Sequence, residues 1–341
     1  MNDIVTIPPQ GPRSIFSACH RAGLLGAALL VLGFSSPLAA QSRSWQIDVL
    51  ADTFGITKAE QVDVPIDAIH QGCPARDCIP SIDKPGFGST SDAFEVDDED
   101  LVLGLDFNGV VRAYPAFILN HHEIVNDTVG DVPVAITYCP LCGSGVAFRR
   151  ELDGEAVEFG VSGLLHNSDL ILYDRASESL WQQITGTAIA GPRRGEKLTS
   201  LPLAMTTWKE WRSAHPGTGI LVANGIRRFS IPNKQPYGNY DSSKRLMFPA
   251  NPEAARKLHP KQVVHGIRID EGAAAVTERH LTEAGELSMT LGDVTLKWRR
   301  GDDGSVQVVR EDSGENVLAH RMFWFAWYSF NTDTALLDRS E

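Results

Sequence analysis

Between residues 101 and 175 the apolar positions come in short runs separated by turn dipeptides, a pattern that predicts strands because helical stripes run longer and recur every three to four residues. Leu101–Leu105 and Val110–Tyr114 flank Asp106-Phe107-Asn108-Gly109, and Asn-Gly between apolar runs predicts a hairpin. Val132–Tyr138, Val146–Arg150 and, after Asp153-Gly154, Ala156–Val161 predict three more strands. Leu170–Tyr173 and Ala188–Ala190 add short ones. Pro115 suits the first turn of a short helix running to Ile124, where its missing N–H costs nothing. That helix would carry His121 and His122, with either Phe117/His121/Ile124 or Ile118/His122/Val125 as its inner stripe. Thr207-Trp208-Lys209-Glu210 has capping-box spacing and opens a helix that Pro216 should stop. Near the C-terminus, Val294–Arg299 and Val306–Arg310 flank Gly301-Asp302-Asp303-Gly304, and Phe323-Trp324-Phe325-Ala326-Trp327 is too aromatic for anything but core or interface.

Two stretches lack this periodicity. Residues 41–95, rich in Pro, Gly and Asp, read as an extended segment packed on the body, and residues 227–262 as surface excursions. No internal repeat is visible. The pattern predicts an α+β, predominantly β domain over residues 96–335, a sandwich or open barrel of mostly antiparallel strands with a few short helices.

The N-terminus follows a different logic. Arg13 and Arg21 precede an apolar run from Ala22 to Phe34, and Ser35-Ser36-Pro37-Leu38-Ala39-Ala40 offers small residues where a signal peptidase would cut. The run falls short of the ~20 residues that span a bilayer, so residues 1–40 read as a cleaved export signal. The mature protein is then expected to be periplasmic or secreted, without stable membrane insertion. The full chain's 43 acidic against 31 basic residues argue against nucleic acid or anionic lipid as partners. A metal ion, a small molecule or a protein partner that the sequence does not identify remains.

In an oxidising compartment the cysteines become informative. Without Cys19 four remain, as the close pairs Cys73/Cys78 and Cys139/Cys142. The first lies in a turn-rich loop and is a disulfide candidate whose small ring would stabilise modestly; a share in a metal site is the alternative. The second ends a predicted strand in Tyr138-Cys139-Pro140-Leu141-Cys142-Gly143. Three readings compete there. A metal knuckle needs two sulfurs about 3.8 Å apart. A structural disulfide needs only an oxidising compartment. A redox pair wants its nucleophile at a helix N-terminus, which the glycines and the following strand deny. Two thiolates cannot close a four-ligand site, and His122 is the nearest further donor upstream. Such a set suits zinc or copper. The polar stretches around Asn167-Ser168-Asp169 and Tyr173–Gln182 read either as turn chemistry or as the lining of a pocket.

At these residues the chain resembles the exported bacterial and archaeal domain-of-unknown-function family 3179. The resemblance runs from about Ile79-Pro80 to Asp333 through Arg112-Ala113-Tyr114-Pro115, His122-Glu123-Ile124-Val125-Asn126-Asp127, Thr137-Tyr138-Cys139-Pro140-Leu141-Cys142-Gly143, Asn167-Ser168-Asp169, Ser179-Leu180-Trp181 and Phe325-Ala326-Trp327. It implies His122 in preference to His121, and it gathers His122, Glu123, Asn126, Cys139, Cys142, Asn167, Asp169 and Trp181 into one candidate constellation. Cys73 and Cys78 depart from the family pattern. The expectation is a metal-binding protein in which Cys139 and Cys142 donate sulfur, His122 donates nitrogen, and Glu123 or Asn126 fixes the imidazole. A thiol–disulfide protein using Cys139/Cys142, and a non-catalytic assembly or binding protein, are the alternatives.

Overall fold

In the computed structural model, which describes residues 50–222 and 234–338, antiparallel sheets dominate an α+β architecture with few helices and no closed barrel. The expected export signal, residues 1–40, lies outside the described residues. The Asn-Gly hairpin forms as expected: β1 (Leu101–Phe107) and β2 (Val110–Pro115) are joined by Asn108 and Gly109, both left-handed at φ 52° and 74°. This matches the turn whose backbone twist suits paired strands. Ala204–Thr207 extends the sheet beside β1, and Gly219–Val222 runs parallel to β2.

Gly104 of β1 faces the indole of Trp211; a Cβ there would stand 2.4 Å from the ring. Gly104→Ala is therefore expected to lower unfolding free energy by about 1–3 kcal/mol, the usual range for overpacking. Chemical denaturation measures it, and an unchanged midpoint would show that the indole moves freely.

Two further sheets build the candidate site. One contains β3 (Ile124–Val129), β4 (Val132–Cys139) and β5 (Ser144–Arg149), paired in sequence with Cys139 opposite Ser144. The other contains β6 (Phe159–His166), β7 (Asp169–Asp174) and β8 (Leu180–Gln182), with Ile69–Gln71 on the outer side of β6. Buried apolar residues of both sheets, among them Phe148, Phe159, Leu172 and Trp181, share one core with Cys139 and Cys142.

Several local expectations need correction. The helix after Pro115 is a single turn, α1 (Ala116–Leu119), and His121 and His122 lie in the turn that follows. One turn has little helical stability of its own. Glu123 takes φ 57° and Ile124 enters β3, so pairing with β4 replaces the helix expected through Ile124. The single strand expected over Ala156–Val161 is divided: Glu155–Ala156 pairs with Glu151–Leu152, and β6 continues to His166. Ser162-Gly163 sits where the β6–β7 register shifts. There the Ser162 hydroxyl accepts from Leu164 N at 3.1 Å and donates to Ile171 O at 2.5 Å, satisfying groups that the bulge displaces.

The stretch read as surface excursions is not all surface. Tyr240, Ala254 and Lys261 are buried, and Lys261 Nζ donates to the carbonyls of Tyr240, Ser243 and Arg245 at 2.8–3.1 Å. Helix α2 (Trp208–Ala214) starts where expected, with Thr207 Oγ1 accepting from Glu210 N at 3.2 Å. Helix α3 (Glu278–Ala284) packs near the C-terminal sheets. The aromatic run forms α4 (Trp324–Phe330), whose residues 324–328 are buried and supply core.

Candidate metal centre

The turn Pro140–Gly143 closes the β4–β5 hairpin through Cys142 N to Cys139 O at 3.2 Å and Gly143 N to Pro140 O at 3.4 Å. Gly143 has φ 57°, and a Cβ there would meet the Phe323 ring at 2.9 Å, so the position requires glycine twice over. Phe323 N donates to Cys142 O at 2.9 Å, which ties the turn to the C-terminal part of the chain. Both cysteines are free, and they are only 2% and 0% exposed.

The β6–β7 hairpin arrives from the other sheet. Its two-residue turn, Asn167-Ser168, is left-handed at both positions, φ 54° and 64°. The Ser168 carbonyl oxygen lies 3.6 Å from Cys139 Sγ and 3.4 Å from Cys142 Sγ. The next residue, Asp169, is fully buried. Its Oδ2 accepts from Gln182 Nε2 at 2.6 Å and Ile184 N at 3.0 Å, while Oδ1 has no hydrogen-bond partner. Gln182 is held in turn by His166, whose Nδ1 donates to Gln182 Oε1 at 2.8 Å. Among the described residues, Cys139, Cys142 and Asp169 form a group whose donor atoms all lie within 4.8 Å of one another.

Burial disfavours the charged forms of Cys142 and Asp169. Burial raises the Cys142 thiol well above its ordinary range, and the neighbouring Cys139 adds to the shift. Burial also pushes Asp169 up to about 7, and it pushes Glu123 up to about 8 with help from the Asp169 charge. Anions here are poorly solvated, and a bound cation would stabilise them.

The expected constellation is only partly brought together. Glu123 is buried and close enough to Asp169 to feel its charge. His122 stands apart from this group: it is half-buried, its Nδ1 donates to Pro80 O at 2.7 Å, and among the described residues no His joins the converging donors. The cause is the early end of α1, which puts His122 in a turn and points it at the Pro80 segment. Asn126 does not fix His122 either. Its amide bridges Asp83 Oδ1 and both backbone groups of Phe159, joining β3 to β6. Trp181 donates to Asp174 Oδ2 at 2.9 Å and packs edge-on against Phe159, a core role. Asn167 shapes the turn and donates to His166 Nε2 at 3.4 Å. Cys73 and Cys78 stand at disulfide distance with Cα atoms 6.3 Å apart.

Residue-type reasoning missed the segment lying over the cysteines. Tyr240 shares their core cluster, and burial pushes its hydroxyl above its ordinary pKa. A cavity of about 420 Å³ adjoins the turn, lined by Tyr138, Pro140, Gly143, Tyr237, Tyr240 and Lys261 among others. A Tyr- and Lys-containing stretch among prolines was the available signal, but nothing local tied it to residues a hundred positions earlier.

A family model with the description "Protein of unknown function (DUF3179)" matches residues 76–334. No curated protein and no solved structure matches the chain.

Proposed function

The chain belongs to the DUF3179 family, whose description assigns no chemistry, and from its own residues we propose that it binds one transition-metal ion, zinc or copper, through Cys139 Sγ, Cys142 Sγ and Asp169 Oδ1. The observation that carries this reading is the buried Asp169 oxygen without a partner in a group with two buried free thiols. Buried polar atoms are ordinarily satisfied, and a carboxylate oxygen short of a partner beside two thiols is suited to a cation. Binding replaces the thiol protons by the ion, so two thiolates and one carboxylate gain the charge their environment otherwise denies them. His166, Gln182 and Ile184 N hold the far side of the carboxylate and fix its orientation.

A thiol–disulfide role for Cys139/Cys142 is less well supported. A redox nucleophile needs access and a lowered pKa, whereas both sulfurs are buried and burial raises Cys142. The metal reading extends to an exported protein, periplasmic or secreted, on the strength of the pattern in residues 1–40. N-terminal sequencing of protein from fractionated cells should find a chain beginning near Gln41; a mature chain starting at Met1 in the cytoplasm would refute export.

Titration of the reduced full chain with Co(II) tests the binding. A thiolate-to-cobalt charge-transfer band saturating at one ion per chain is expected, and it should vanish in Cys139→Ser and Cys142→Ser. A folded protein that gives no such band would overturn the reading.

A further inference from the structure

The two sulfurs and Asp169 leave one position of a tetrahedral ion to be filled, and a backbone oxygen lies within 3.6 Å of both sulfurs. We propose that the carbonyl oxygen of Ser168 is the fourth ligand, completing a closed site of two sulfurs and two oxygens that selects Zn(II). This rests on the three-donor reading above and adds the ion's identity and the absence of an open coordination position.

Distances carry the argument. With zinc–sulfur bonds of about 2.3 Å, zinc–oxygen bonds of about 2.1 Å and tetrahedral angles, the sulfur–oxygen edge is about 3.6 Å. Ser168 O stands 3.6 Å from Cys139 Sγ and 3.4 Å from Cys142 Sγ, matching that edge twice. In the protonated form the same oxygen accepts from both thiols.

The turn is built to hold that oxygen in place. Two consecutive non-glycine residues at positive φ, Asn167 and Ser168, store strain that a glycine at the second position would relieve. Ser168 is fully buried, and its hydroxyl donates to Phe248 O at 2.7 Å, so the side chain anchors the turn to the covering segment. Two oxygens beside two thiolates suit zinc; copper(I), which prefers soft donors, would leave the oxygens unused. A four-ligand zinc has no place for a substrate water, which makes the ion part of the architecture and not a hydrolytic centre.

A crystal structure of the zinc-loaded full chain, with the ion located by anomalous scattering at the zinc edge, decides the matter. The expected result is zinc about 2.0–2.2 Å from Ser168 O and bonded to both sulfurs and Asp169. Zinc held by the three side chains with solvent in the fourth position would overturn the carbonyl ligand while sparing the three-donor reading. Zinc absent from Cys139 and Cys142 would overturn both.

Discussion

Replacing Asp169 by Asn is expected to separate two properties that a purely structural carboxylate would keep together. Affinity for the ion should fall by more than about 100-fold, beyond the 10- to 100-fold typical when only a supporting hydrogen bond is lost. The metal-free protein should unfold at the same denaturant concentration or a higher one. The amide oxygen of Asn can still accept from Gln182 Nε2 and Ile184 N, the two bonds that hold Oδ2. The substitution removes a buried group whose charge is disfavoured and whose second oxygen has no partner. Competition with a chromophoric chelator and parallel urea melts measure both quantities. A loss of several kcal/mol in the metal-free melt would show that the carboxylate serves folding and would count against a ligand role.

Asp127→Ala should cause the largest loss of stability, about 3–5 kcal/mol, because it strands a paired charge. Asp127 of β3 is buried and accepts from Arg112 Nη1 and, at 2.6 Å, from Tyr114 OH, both on β2. The Arg112 guanidinium also lies 4.1 Å from the centre of the Phe87 ring, and its side chain is only 20% exposed, so most of its charge would be left without a partner. Burial raises the Tyr114 pKa well above its ordinary value and the Asp127 charge raises it further, which keeps the hydroxyl a donor. The double variant Arg112→Met/Asp127→Leu should recover most of the loss, since replacing both partners leaves no unpaired charge. Denaturant melts of the three variants check this. Equal destabilisation by the single and double changes would show that packing, and not the stranded charge, sets the cost.

The parts of this molecule that were legible in its sequence are those fixed by neighbours along the chain. Asn108-Gly109 defines its hairpin locally, Thr207 caps its helix three residues away, and Cys139 ends a strand whose apolar run announces it. Asp169 was recognisable as part of a polar constellation but not as a donor, because its orientation depends on Gln182 and on the backbone of Ile184. His122 misled for the converse reason. Its spacing suited a helix, yet pairing of Ile124 with Thr137 ended that helix after one turn. Ser168 contributes a carbonyl, which every residue possesses, so no residue-type pattern could mark it. Tyr240 and Lys261 come over the turn from a hundred residues downstream, a juxtaposition set by tertiary packing alone.

X-ray absorption at the zinc edge, on the reduced full chain loaded with one equivalent in solution, tests the central claim most directly. Convergence of Cys139, Cys142 and Asp169 on one ion predicts two sulfur neighbours at about 2.3 Å with the remaining first shell made of oxygen at about 2.0–2.2 Å. A first shell of nitrogen and oxygen without sulfur would place the ion elsewhere on the protein and contradict the account.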